Sequence, residues 1–291
     1  MNKLFGVLLS ASVLTLAACG KQEAPKTEQT GTAPAGELTT VTLASSGSDT
    51  DIWNYIATLP ETKQAGIELK VKNFTDYVSM NTAVANNEID ANAFQSYAYM
   101  VAYNDNNKAK VAPIATTYLE PMGIYSSKVK KIEEFANGAT IAIPNDGANE
   151  SRALLLLQSA GLIKLKAGFD DVKGTPADIT ENAKKIVIKP IQMATAVRAK
   201  DEVDAIVLGN VLAMEGGLNV IKDSIYHEPI DQSTKMNVNI VAVADARKND
   251  PTLQKLGTLY HTAAVQKYIQ DHFQGTKVDV NKPVSYLTES K

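Results

Sequence analysis

Short β-branched runs alternate with helical patterns along most of the chain, and that order constrains the fold more than any other feature. Residues 40–44 (Thr-Val-Thr-Leu-Ala) read as a buried strand ending in the turn Ser45-Ser46-Gly47-Ser48. A helix capped by Ser48 or Asp49 follows, with Ile52, Tyr55, Ile56 and Leu59 on one face. The same periodicities predict strands at 66–71, 88–94, 110–117, 139–143, 186–191, 205–208 and 238–243. They predict helices at 77–86, after Phe94, at 129–135 and at 150–160, and one long closing helix at 253–272. Alternation of this kind makes an α/β protein with mostly parallel sheets, whose ligand crevices lie at the carboxyl ends of strands. Gly47-Ser48-Asp49, Phe94-Gln95-Ser96, residues 145–152 and Gly209-Asn210 all fall at such ends.

The first forty residues follow different rules. Met1-Asn2-Lys3 gives a positive start, and residues 4–16 form an apolar stretch too short to span a bilayer. Leu16-Ala17-Ala18-Cys19, followed by Gly20, resembles the lipobox of bacterial lipoproteins, and Cys19 is the only cysteine. The resemblance implies cleavage before Cys19, a diacylglycerol on its thiol and an acylated amino terminus; several acyl chains anchor firmly. Residues 1–18 are then a lipoprotein signal peptide, with an ordinary secretory signal and an incidental cysteine as the alternative. Residues 21–37 are polar, hold two prolines and lack aromatics, so 19–39 read as the lipidated cysteine and a flexible tether. The expected location is the cell envelope, anchored to a membrane and facing the periplasm or exterior.

About 270 residues follow the signal, enough for one large domain or two lobes. Apolar residues make up 44% of the chain, which supports a proper core and argues against global disorder. The longest apolar run after the signal, residues 97–103, falls far short of the roughly 20 residues a spanning helix needs. A net charge of -3 with mixed signs leaves no footprint for nucleic acid. With Cys19 lipidated, no disulfide, thiolate chemistry or cysteine metal site is available. His227, His261 and His272 are scattered and read as surface positions. Neither a nucleophile elbow, a His-Glu-x-x-His pair nor a phosphate loop is present, so no enzyme activity, metal or cofactor is expected.

Several motifs then stand together in order. They are Phe74-Thr75-Asp76-Tyr77, residues 89–95 (Ile-Asp-Ala-Asn-Ala-Phe-Gln), 118–126 (Tyr-Leu-Glu-Pro-Met-Gly-Ile-Tyr-Ser), 141–146, 149–157, 160–165 and 201–205. Their order and spacing resemble the methionine-uptake solute-binding lipoproteins, the NlpA lipoprotein family, from about Val41 to the C-terminus. The resemblance implies a two-lobe, periplasmic-binding-protein-like (type II) fold with a central ligand cleft. It implies an amino-acid ligand, methionine (L or D) foremost, an ABC transporter permease as partner, and no catalysis. It also implies two crossings between lobes, placed near 119–123, where Pro121 and Gly123 break the strand pattern, and near 226–232. Lobe one is then 40–120 plus 232–291, and lobe two 121–231.

Arg152 is the strongest site candidate. Asn149 can cap a helix whose first turn carries Arg152, and a guanidinium beside free helix amides suits a carboxylate. A surface salt bridge with Glu150 or Asp146 is the other reading of the residues. The family resemblance implies that this arginine takes the amino-acid carboxylate. Asn239, an amide between Val238 and Ile240, matches an asparagine implied to hold the ligand's polar backbone; a solvent-facing position is its alternative. Tyr77 and Phe94 match aromatics implied to box the ligand side chain, where a thioether gains from apolar burial and sulfur–aromatic contact. Ordinary core packing is the alternative for both. Tyr99, Asn149, Ser96 and Asn210 complete the expected ligand set, and Trp53 reads as core or rim.

The chain also departs from the family's pattern. Gly47-Ser48-Asp49 stands where Gly-Pro-His is common, and Phe94-Gln95-Ser96 where Phe-Gln-His is. Gly209 replaces an asparagine, with Asn210 one position later, and Asn237 replaces a frequent aromatic. One changed polar partner in a buried site can alter specificity by orders of magnitude. These departures support a second reading, a surface lipoprotein with an adhesion or envelope role and a diverged pocket.

Overall fold

The computed structural model describes residues 37–192, 201–229 and 232–288. Cys19, the expected signal and most of the tether lie outside the described residues.

Three stretches of chain build two lobes. The first runs β1 (Thr39–Ser45), α1 (Ser48–Thr58), α2 (Pro60–Gln64), β2 (Ile67–Asn73), α3 (Tyr77–Ala85), β3 (Ala91–Ser96), α4 (Tyr97–Asn106), β4 (Val111–Thr116) and β5 (Tyr118–Leu119). The second begins with β6 (Met122–Tyr125), β7 (Thr140–Pro144), α5 (Gly147–Ser159), β8 (Lys164–Leu165), β9 (Ile179–Glu181) and β10 (Val187–Ile191). It continues through β11 (Ala205–Gly209), α6 (Asn210–Glu215), α7 (Val220–Asp223) and β12 (Tyr226–His227). The third returns with β13 (Asn239–Ala244), α8 (Pro251–Tyr260), α9 (Ala263–Phe273) and β14 (Val278–Asp279).

One five-stranded sheet has the order β2-β1-β3-β13-β4, the other β10-β7-β11-β6-β12. The βαβ units pair in parallel, β1 with β2 and β3, and β7 with β10 and β11. The sheets are nevertheless mixed. β13 is antiparallel to β3 and β4, and β6 to β11 and β12. These are the strands by which the chain enters each sheet from the other lobe, so they run against the local βαβ direction and break the mostly parallel expectation.

Helices cover both faces of the first sheet, which is why β13 is buried at every residue. Trp53, Ile56, Tyr260 and Phe273 pack with Val41, Leu43 and Val241 on one face. Met80, Met100 and Tyr103 pack with Ile240 on the other. In the second lobe Leu154 and Leu157 of α5 lie on Ile141, Ile143 and Val207. Each such side chain is worth about 1.5–3 kcal/mol relative to exposure. Trp53 belongs to this core, its ring centroid 5.6 Å from that of Tyr260.

Local physics overrides the expectation in three places. The helix expected at 129–135 is only a 3-10 turn, Ile132–Glu134, because a stretch this short does not offset helix nucleation. α1 has no side-chain cap: Gly47 fills the cap position at φ 53°, and Asp49 turns inward to Lys277. The single closing helix breaks into α8 and α9 at His261-Thr262. There the His261 ring reaches the Thr116 carbonyl (2.9 Å) and Asp279 (2.8 Å), and its side chain is 10% exposed, so it is not a surface position.

Candidate functional site

The carboxyl ends of β1, β3, β7 and β11 converge on one cleft with two connected parts. The inner chamber, about 70 Å³, is lined by Tyr77, Phe94, Gln95, Ser96, Tyr99, Glu120, Asn149, Arg152, Gly209, Val211, Leu212 and Asn239. The outer cleft, about 570 Å³, shares Tyr77, Tyr99 and Leu212 with it and carries Asp76, Asp146 and Glu215. All the expected ligand residues except Asn210 therefore meet at the chamber.

Its apolar wall is built at two helix starts. Asp76 caps α3 by accepting from Val78 N at 3.0 Å, which sets Tyr77 at the cleft. Ser96 caps α4 by accepting from Tyr99 N at 3.2 Å, so this serine has a structural task where the family's pattern has histidine. Tyr77, Phe94 and Tyr99 then contact one another in tilted and edge arrangements, with centroids 5.3 to 6.4 Å apart. Burial pushes the Tyr77 and Tyr99 hydroxyls up, so this wall stays uncharged. Behind it, Gln95 exchanges two hydrogen bonds with Asn81 (2.8 and 2.6 Å) and donates to Asn92 (2.7 Å), a buried amide cluster that holds the end of β3.

The polar wall differs from expectation in detail. Asp146, not Asn149, caps α5, accepting from the Asn149 backbone N (3.2 Å) and its Nδ2 (2.9 Å). Burial pushes the Asp146 carboxyl up. α5 begins at Gly147, so Arg152 sits in its second turn rather than its first. Its partner is neither Glu150 nor Asp146. Arg152 Nε and Nη2 donate to Glu228 at 2.8 and 2.5 Å, and Nη2 also donates to the Glu120 carbonyl at 2.8 Å. Burial alone would lower the Arg152 pKa, but the adjacent Glu228 carboxylate outweighs it and holds the guanidinium charged.

Asn239 enters from β13 opposite Ser96; it is buried, and its amide bonds to no described residue. Asn210 faces elsewhere: fully buried, it donates to Glu120 Oε2 (3.0 Å) and Thr276 Oγ1 (3.2 Å). Gly209 lines the chamber in its place, and a Cβ built there would meet nothing within 4 Å.

Sequence reasoning missed a second buried ionic cluster beside the first. Lys277 Nζ lies 2.7 Å from both Glu120 Oε2 and Asp49 Oδ1, and 3.9 Å from the Tyr118 ring centroid. Tyr118 donates its hydroxyl proton to Asp49 Oδ2. Burial pushes the Asp49 carboxyl above its ordinary range, against the pull of Lys277. Glu120 lay within a motif already singled out, but Glu228 and Lys277 carried no local signal.

Comparison with known proteins places the chain among relatives. The model of a family described as NlpA lipoprotein matches residues 41–281. A probable D-methionine-binding lipoprotein of Pasteurella multocida is 33% identical over 275 residues, covering 94% of this chain and 97% of that one. A nutrient-binding protein from Burkholderia cenocepacia, solved bound to methionine, is 35% identical with a TM-score of 0.77, covering 82% of this chain and 99% of that chain. The substrate-binding protein of a methionine transporter from Streptococcus pneumoniae is 36% identical with a TM-score of 0.75, covering 83% and 95%.

Proposed function

The chain belongs to the NlpA lipoprotein family, and from that premise we propose that it is the substrate-binding lipoprotein of an ABC importer, capturing an amino acid, with methionine the leading ligand. The observation that carries the reading is the chamber itself. One wall is three packed aromatics, the other presents Arg152, Asn149 and Asn239, and the cleft volume lies in the range of small-molecule sites. In this reading Arg152 takes the carboxylate through Nη1, Asn239 holds the polar backbone, and Tyr77, Phe94 and Tyr99 box the thioether. Binding and release, not catalysis, are its task.

The lobes, 40–120 plus 232–291 and 121–231, close on the ligand about crossings at 119–123 and 226–232. Lipidation of Cys19 holds the protein at a membrane of the envelope, where the permease is its partner. Calorimetry with L-methionine, D-methionine and other amino acids is the test. Saturable binding of methionine, tighter than that of its apolar homologues, is expected. Absence of binding by any amino acid at about millimolar concentration would overturn the reading.

A further inference from the structure

We propose that Glu228 sets the charge type of ligand the chamber accepts: by neutralising Arg152, it favours a zwitterion over a simple carboxylate anion. The inference rests on the amino-acid reading above and assigns Glu228 as a specificity-determining residue that positions Arg152.

Glu228 occupies the Nε–Nη2 edge of the guanidinium, and both side chains are only 10% exposed. Nη2 also serves the Glu120 carbonyl, so Nη1 is the guanidinium nitrogen without a bond to a described residue. The Glu228 carboxylate further accepts Met122 N at 2.8 Å and, at 3.5 Å, Asn237 Nδ2. Met122 thus holds Glu228 beside Arg152.

The charge balance follows. In the two buried clusters beside the chamber, two cations, Arg152 and Lys277, pair with three acidic side chains, Glu228, Glu120 and Asp49, and Asp76, Asp146 and Glu215 line the adjoining cleft. No surplus positive charge awaits a ligand. A simple carboxylate would bring an uncompensated anion into a buried site, whereas a zwitterion brings its own ammonium. Discrimination of this kind is a difference of affinities, and Glu228 supplies the element that disfavours the anion.

Glu228→Gln keeps the shape and removes the charge. Calorimetry would compare methionine with its des-amino analogue, 4-(methylthio)butanoate, on wild type, Glu228→Gln and Glu228→Asp. In Glu228→Gln the preference for methionine over the analogue should fall by about tenfold or more, whereas Glu228→Asp should keep the wild-type ratio within about threefold. A Glu228→Gln ratio within about threefold of wild type, with methionine still bound by wild type, overturns this inference and leaves the amino-acid reading standing. A wild type that binds neither compound overturns the amino-acid reading, and this inference with it. A general loss of packing would weaken both ligands alike and leave the ratio unmoved.

Because Glu228→Gln could fail to fold, a measurement on the wild type runs beside it. Arg152, Arg198 and Arg247 are the chain's arginines, which makes their Nε–H resonances simple to assign by nitrogen-15 NMR. Arg247 bonds through Nη1 and Nη2 to Asp90 and Asp250, and its Nε bonds to no described residue. The Arg152 Nε–H should exchange with solvent far more slowly than that of Arg247. Equal exchange would mean that Glu228 does not hold the Nε edge, and would overturn the inference without any variant.

Discussion

Arg152 and Lys277 are both buried cations held by carboxylates, yet they stand in different relations to the cleft. Lys277 is closed on all sides: its side chain is 0% exposed, its two ion pairs are internal, and an aromatic face covers it. Arg152 is closed on its Nε–Nη2 edge, lines the chamber, and has an Nη1 that bonds to no described residue. Burial and charge alone therefore do not identify a ligand site. What distinguishes Arg152 is that it lines the chamber.

The comparison is tested most sharply at Lys277. Lys277→Met should lower folding stability by about 3–5 kcal/mol, the scale for stranding buried carboxylates by removing their partner. The urea midpoint reads the loss. The loss should be largest near neutral pH and shrink as pH falls through the carboxylate range. Below that range Asp49, whose carboxyl burial pushes up, is protonated in both folded and unfolded chains, so it no longer needs the lysine. Affinity of the folded variant for its amino acid should change less than in any Arg152 variant. A stability loss under about 1 kcal/mol would show that the cluster is not the closed structural unit described here.

Arg152→Ala should show the opposite balance. Amino-acid binding should weaken by about 2–5 kcal/mol, the scale for truncating one partner of a buried charged pair. Stability should fall less than for Lys277→Met, because Arg152 is paired with one acidic side chain and Lys277 with two. Calorimetry and urea unfolding on the same preparation separate the two effects. Binding within about threefold of wild type would remove Arg152 from the site.

Phe94→Ala probes the wall that carries no charge. It should weaken methionine binding by about 1–3 kcal/mol, since apolar contact is lost but no charge is orphaned. The loss should be smaller for an amino acid with a shorter side chain, which reaches less of the wall. An equal loss for alanine and methionine, measured by calorimetry, would assign Phe94 to lobe packing instead.

The strand–helix order was legible because periodicity is a local property. β1, β7 and β11 were readable from β-branched runs, whereas β3 holds no β-branched residue and lies at Ala91–Ser96 rather than at the expected 88–94; the site residues at their carboxyl ends followed from the fold class. Helix boundaries were less legible. Asn149 reads as a cap in isolation, and only the carboxyl of Asp146, bonded to the Asn149 amide, decides the matter. The ionic clusters were not legible at all. Glu228 lies 76 residues from Arg152, and Lys277 lies 157 from Glu120, so neither pairing leaves a trace at helical or strand spacing. Motif resemblance found the arginine without its counter-ion. Glu228 stands beside Pro229 at the end of a two-residue strand, a place that reads as a turn.

Gly209 offers the smallest effect and the finest test of what an open position in the chamber means. It caps α6 at φ -68° and ψ 156°, an extended conformation that any residue adopts, so no backbone strain opposes a side chain. A Cβ there meets nothing within 4 Å, and asparagine is among the preferred cap residues. Gly209→Asn should therefore leave stability within a few tenths of a kcal/mol of wild type, with a gain the expected sign. Its larger consequence should be selectivity: a new amide at the chamber adds a polar partner where the chain now has none, next to Arg152 and Asn239. The ratio of L- to D-methionine affinity is the quantity to measure, because a polar group on one wall distinguishes the two placements of an ammonium. An unchanged ratio with unchanged stability would mean that the Gly209 wall does not touch the ligand, and would confine recognition to the Arg152 and aromatic walls.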